Sequence, residues 1–134
     1  EGKEIKIFNH GNMYRDFTYI QDVINPIISL LDKPTKTNPN YDKYNKLSSE
    51  SWAPYQVLNI GNSKKVSLID FISCLEEILD KKAIKKFIPI QPGEIETTLS
   101  DTNKIQNLYG FEPKTTLKDG LIKLVEWYKS FYKF

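Results

Sequence analysis

The sequence predicts an α/β fold. Short runs of β-branched and aromatic residues alternate with amphipathic helical patterns along the 134 residues, the signature of mixed strand and helix layers. One compact apolar run, Tyr55 to Ile60, is followed by a Gly61-Asn62 turn and then a helix opened by Ser67, which reads as a βα unit. No internal repeat and no low-complexity tract interrupts this order, and the length suits one small domain.

Glu4 to Phe8 reads as a first short strand, His10-Gly11-Asn12 as a turn, and Arg15 to Ile20 as a second strand, the two forming a hairpin or near-hairpin. A helix is expected from Asp22 to Asp32, with Val23, Ile27, Leu30 and Leu31 on its apolar face, Asp22 as its cap and Pro26 near the first turn. Residues 33–54 hold three prolines and many Asn, Ser and Lys residues, and read as a long irregular loop anchored by Leu47 and Trp52. Ser67 and Asp70 suit a capping box for a helix with Leu68, Ile72, Leu75 and Leu79 as its buried stripe. Phe87 to Ile90 reads as another strand running into Gln91-Pro92-Gly93-Glu94. Asp101 is placed to cap a brief helix closed by Gly110. Thr116 and Asp119 box the last helix, whose apolar face is Leu117, Leu121, Leu124, Val125 and Tyr128.

The formal charge of +2 lacks the basic footprint of a nucleic-acid binder, and no apolar run is long enough to span a bilayer. Cys74 is the single cysteine, so no internal disulfide forms; with no signal peptide at the start, the expected context is cytoplasmic. Cys74 lies in an apolar helical pattern and reads as core. His10 is the only histidine and reads as a surface turn residue, and no spacing of metal ligands occurs. No G-x-G-x-x-G or Walker pattern is present, and Gly61 alone is only a turn signal. Of the 19 basic residues, all but Arg15 are lysine. A chain that uses lysine almost everywhere keeps arginine where a planar, five-donor fork is needed, which makes Arg15 a lead. The opening Glu1-Gly2-Lys3, without methionine, reads as an internal point of a longer polypeptide.

Three segments stand together: KIFNHGNMYRDFTYIQDV, APYQVLNIGN and PIQPGEIETTLSDTNK. This set resembles the C-terminal portion of the extended short-chain dehydrogenase/reductases, specifically the nucleoside-diphosphate-sugar epimerases, and within them the bacterial UDP-glucuronate 4-epimerases. The motif Arg15-Asp16-Phe17-Thr18-Tyr19-Ile20 points to the superfamily, and Gln91-Pro92-Gly93-Glu94 to the subgroup. The resemblance implies a C-terminal substrate-binding lobe of a Rossmann-type fold, contributing a strand and a helix to the parent sheet.

For single residues, the resemblance implies that Lys6 to Phe8 lies along the uracil base through backbone groups and the Phe8 ring. Arg15 grips the diphosphate, where a bidentate guanidinium–phosphate contact is the reason for arginine. Glu94 accepts the ribose hydroxyls, and Gln91 stands where many relatives carry a second phosphate-binding arginine. Glu94 departs from the usual aspartate. Phe17 is read as core, Asp16 as a turn or hairpin hydrogen-bonder. The resemblance places the NAD-binding glycine-rich loop and the catalytic Tyr-x-x-x-Lys pair N-terminal to this region. No tyrosine here has a lysine four residues on, so the chain by itself is expected not to catalyse. The implied parent is an NAD-dependent UDP-sugar 4-epimerase, often a homodimer in such families, with no nucleic-acid or membrane partner. A dehydratase or decarboxylase of the same superfamily and a non-catalytic UDP-sugar-binding remnant stay open as alternatives.

Overall fold

The computed structural model describes residues 2–133. In chain order they form β1 (Ile5–Ile7), a 3-10 turn (Phe8–Gly11), β2 (Tyr14–Asp16), α1 (Ile20–Leu31), β3 (Lys65–Ser67), α2 (Leu68–Leu79), β4 (Lys85–Phe87), α3 (Asn103–Tyr109) and α4 (Leu117–Tyr132). The α/β class is as the sequence predicts, but the strand pairing is not.

β1 and β2 form no hairpin. β1 pairs in parallel with β4, Ile5 opposite Lys85 and Ile7 opposite Phe87. β2 pairs antiparallel with β3, Tyr14 opposite Ser67 and Asp16 opposite Lys65. Between them lies the 3-10 turn, in which Asn9 and His10 both take left-handed backbone angles (φ 49° and 51°) and Asn12 N donates to Asn9 O (2.8 Å). β2 meets a strand some fifty residues away in sequence. The expected Phe87–Ile90 strand is shifted, with the ladder running Lys85–Phe87 and further bonds from Ile5 N to Ile84 O (2.9 Å), Ile88 N to Ile7 O (2.9 Å) and His10 N to Ile88 O (3.1 Å).

Tyr55 to Ile60 forms no ladder strand either. Among the described residues its one pairing is an isolated bridge between Gln56 and Glu50. Burial still alternates, with Gln56, Leu58 and Ile60 half-buried and Val57 and Asn59 exposed, the period of a strand without a partner alongside it. Among the described residues no strand lies at its edge.

The helices follow the sequence more closely because their signals are local. Ser67 Oγ accepts from Ile69 N (3.1 Å) and Asp70 N (3.5 Å) at the start of α2, and Thr116 Oγ1 accepts from Asp119 N (3.1 Å) at the start of α4. α2 packs on α4, burying Ile72, Leu121 and Val125, while Leu79, Leu124 and Tyr128 of the expected stripes stay exposed. Cys74 is half-buried in α2. For α3 the N-cap is Thr102, whose side chain makes no capping bond to the helix, and Asp101 Oδ1 accepts from Asn103 N (3.0 Å); Gly110 closes the helix.

α1 starts two residues earlier than expected, which puts Pro26 at its seventh residue and makes the reading of a first-turn proline wrong. The inward side of α1 is Asp22 and Pro26, both buried, with Val23 and Leu30 half-buried. Ile27 and Leu31, expected inside, face out with Ile20, Ile24 and Ile28. Asp22 does not cap its own helix. It sits in the first turn, and its Oδ2 accepts from Lys114 N (3.2 Å) and Thr115 N (2.9 Å), tying α1 to the segment that leads into α4.

Glu76 is the one acidic residue of α2 turned inward, 7% exposed. Its carboxylate takes Lys85 Nζ at 2.8 Å, Lys82 Nζ at 3.3 Å and Ala83 N at 2.8 Å, and so fastens the end of α2 to the start of β4. The Lys85 contact first, then the Ala83 amide, hold its pKa down from 4.5 to about 2. A lowered carboxylate pKa means stability present above 4.5 and lost as the pH falls from 4.5 toward about 2. Glu76→Gln is therefore expected to melt below the unmodified chain at neutral pH, with the gap closing through that acid window; a gap independent of pH would contradict it.

Candidate functional site

The five candidate residues lie on three neighbouring stretches. Lys6 is in β1, exposed and opposite Lys86. Phe8 is half-buried at the start of the 3-10 turn. Arg15 is the central residue of β2, opposite Val66. Gln91 and Glu94 are exposed at the two ends of the turn that follows β4. That turn is set by its own residues. Glu94 N donates to Gln91 O (3.1 Å), Pro92 occupies the second position, and Gly93 has φ 89°, the geometry that calls for proline then glycine.

From Glu94 the chain runs back beside β2. Tyr14 N donates to Glu96 O (2.8 Å), and Thr98 N donates to Tyr14 O (3.2 Å). This pairing brings Arg15 to Glu94. Arg15 Nη1 donates to Tyr14 O (2.8 Å) and Glu96 O (3.2 Å), while Nη2 stands 3.7 Å from Glu94 Oε2. Two carbonyls thus fix one prong of the guanidinium, and the other faces a carboxylate at loose ion-pair distance. Both side chains remain partly open, 27% and 39% exposed. A half-exposed, oriented cation with an acceptor beside it can bind an oxyanion and a hydroxyl together. Among the five, Arg15 and Glu94 are the pair whose side chains meet.

Asp16 was missed as a site-building residue. It hydrogen-bonds as expected but not within a hairpin. Its Oδ1 accepts from Asn62 N (3.1 Å), and its Oδ2 accepts from Ser63 N (3.1 Å) and Ser100 N (2.9 Å). All three donors are backbone amides distant in sequence, so no side-chain pattern could have announced them. Gly61 belongs to the same knot. A Cβ there would lie 2.4 Å from Ser100 Cβ and 2.9 Å from Asp16 Oδ2. Ser100 fills the space that a phosphate would need, so Gly61 serves close packing and is no dinucleotide cradle. No cluster of potential metal ligands occurs among the described residues.

Phe17, read as core, is half-buried, its ring stacked on Phe71 with centroids 4.2 Å apart. Beyond it lies an apolar cleft of about 570 Å³ lined by Tyr19, Phe71, Leu121, Leu124 and Trp127. None of the five candidate residues lines it. His10 is exposed in its turn.

The chain is 44% identical over 133 residues to an uncharacterized 37.6 kDa protein of Escherichia coli O111:H-, covering 99% of the chain and 40% of that protein. It is 39% identical over 129 residues to Protein CapI of Staphylococcus aureus, covering 96% and 39%. The chain thus spans about two fifths of the length of these relatives. Among solved structures, UDP-glucuronic acid 4-epimerase from Bacillus cereus, in complex with UDP-glucuronic acid and NAD, superimposes with a TM-score of 0.75 at 32% identity, over 97% of the chain and 36% of that enzyme. The likeness is to the C-terminal part of Rossmann-type epimerases and dehydratases. The family model described as GDP-mannose 4,6 dehydratase matches residues 1–124, and the chain belongs to that family.

Proposed function

We propose that this chain is the nucleotide-sugar-binding portion of an NAD-dependent UDP-sugar 4-epimerase that interconverts UDP-glucuronate and UDP-galacturonate. The observation that carries the reading is the Arg15–Glu94 pair, with one guanidinium prong held by the carbonyls of Tyr14 and Glu96. Family membership and the likeness to the Bacillus cereus enzyme support it. Arg15 would present its second prong to the diphosphate, and Glu94 would accept the ribose hydroxyls. Lys6 on β1 and Phe8 in the turn after it would flank the uracil, and Gln91 would reach the phosphates from its turn.

These roles are binding roles. Energy gained on the UDP handle positions the sugar without touching the reacting carbon. NAD, when bound by the remainder of the whole protein, supplies the oxidation and reduction at C4, and no residue of this chain is assigned to it. The whole protein is proposed to be a cytoplasmic homodimer. No helix among the described residues is long and apolar enough to cross a membrane.

The full-length protein carrying this chain is expected to convert UDP-glucuronate to UDP-galacturonate, followed by chromatographic separation of the two. Release of carbon dioxide or loss of water in place of that product would assign it to a decarboxylase or dehydratase. The isolated chain is expected to show no turnover above an enzyme-free blank, with or without added NAD.

A further inference from the structure

We propose that Asp16 is a positioning residue that sets the nucleotide-binding arm against Arg15, an inference that rests on the diphosphate reading of Arg15. The arm is the stretch from Glu94 to Ser100. It carries both the Glu94 carboxylate and the Glu96 carbonyl that holds Arg15 Nη1 at 3.2 Å. Its upper half is laced to β2 by the Tyr14–Glu96 and Thr98–Tyr14 backbone bonds. Its lower half is tied to β2 through Asp16, twice over. Asp16 N donates to Thr98 Oγ1 (3.2 Å), and Asp16 Oδ2 accepts from Ser100 N (2.9 Å).

The same carboxylate takes Asn62 N and Ser63 N from the loop before β3. Ser63 then closes the circuit, its Oγ bonding Ser100 O (2.8 Å) and Thr102 Oγ1 (2.7 Å). Asp16 thus clamps two distant loops to the strand that carries Arg15. Three amide donors converge on it, and only a carboxylate offers acceptors to all of them. An asparagine must turn its NH2 toward at least one amide, leaving two donors facing each other. The arm would then shift on its Ser100 end, and the Glu96 carbonyl would no longer hold the guanidinium in place.

The test is a double-mutant cycle in the full-length protein, with UDP and NAD affinities measured by calorimetric titration. Asp16→Asn is expected to weaken UDP on the order of ten-fold while NAD stays within about two-fold. If Asp16 acts through Arg15, its substitution in the Arg15→Lys background should cost less than about three-fold further, the non-additivity of residues that share one function. Equal losses in both backgrounds, or a matching loss of NAD affinity, would reduce Asp16 to a structural residue and overturn the proposal. Unchanged UDP affinity in Asp16→Asn, with Arg15→Lys weakened, would sink this inference and leave the diphosphate reading standing. Unchanged affinity in Arg15→Lys alone would remove the diphosphate reading itself. Should Asp16→Asn not fold, Thr98→Val, which deletes only the acceptor for Asp16 N, takes its place in the cycle under the same criteria.

Discussion

Arg15→Lys is expected to weaken UDP binding by the full-length protein ten-fold or more, although the charge is retained. Lysine presents a compact ammonium where arginine presents a flat fork with two parallel donors. At this site the difference is amplified by the way the fork is held. One prong is spent on the carbonyls of Tyr14 and Glu96, so the other is aimed before ligand arrives. A lysine cannot bond both carbonyls and still reach outward. One charge-assisted bond to phosphate is lost, worth roughly 1.5–3 kcal/mol, and about 1.4 kcal/mol is already ten-fold. UDP alone should lose as much affinity as the UDP-sugar, because the diphosphate lies away from the reacting carbon. NAD affinity should not change. Calorimetric titration of UDP and NAD into both variants separates these outcomes, and equal UDP affinities would return Arg15 to the role of a surface residue paired with Glu94.

Gly61→Ala is expected to be the most damaging single-methyl addition in the chain. The new Cβ would stand 2.4 Å from Ser100 Cβ, 2.8 Å from Ser100 Oγ and 2.9 Å from Asp16 Oδ2. The first of these is not the far end of a flexible side chain. Ser100 is held by its own backbone, N to Asp16 and O to Ser63. The clash is relieved only by parting the loop 61–63 from the arm, which breaks the Asp16 knot. Overpacking of this kind costs on the order of 1–3 kcal/mol, before the loss of hydrogen bonds is counted. Thermal or denaturant melts should show it. Ser100→Gly, which removes the obstructing Cβ, should recover part of the loss in the Gly61→Ala background. A Gly61→Ala melt that overlays the parent would show that the two loops separate freely.

The helices were legible because each is written within a few residues. Ser67 and Thr116 cap their helices through amides two or three positions on, and Gly110 ends α3. The candidate site was legible in part, through its motif and through the one arginine in a lysine-rich chain. Its membership of a nucleotide-sugar family followed from the same residues and not from any count of elements.

What the sequence could not state is anything settled by groups far apart along the chain. β1 and β2 follow one another and look like a hairpin, yet each finds its partner fifty to eighty residues away. Strand patterns carry no address, because backbone amides and carbonyls are the same at every residue. For the same reason Asp16 and Asp22 look like local turn and cap residues, while their carboxylates bind amides beyond the next element. Glu76 reads as one more polar residue on a helix, and the approach of Lys85, Lys82 and the Ala83 amide offsets its burial. By itself the sequence determined the class of the fold, the helices with the N-caps of α2 and α4, and the family. The tertiary structure alone decided which strands pair, which way α1 faces, and that Arg15 meets Glu94, since these depend on distances between residues that local signals never compare.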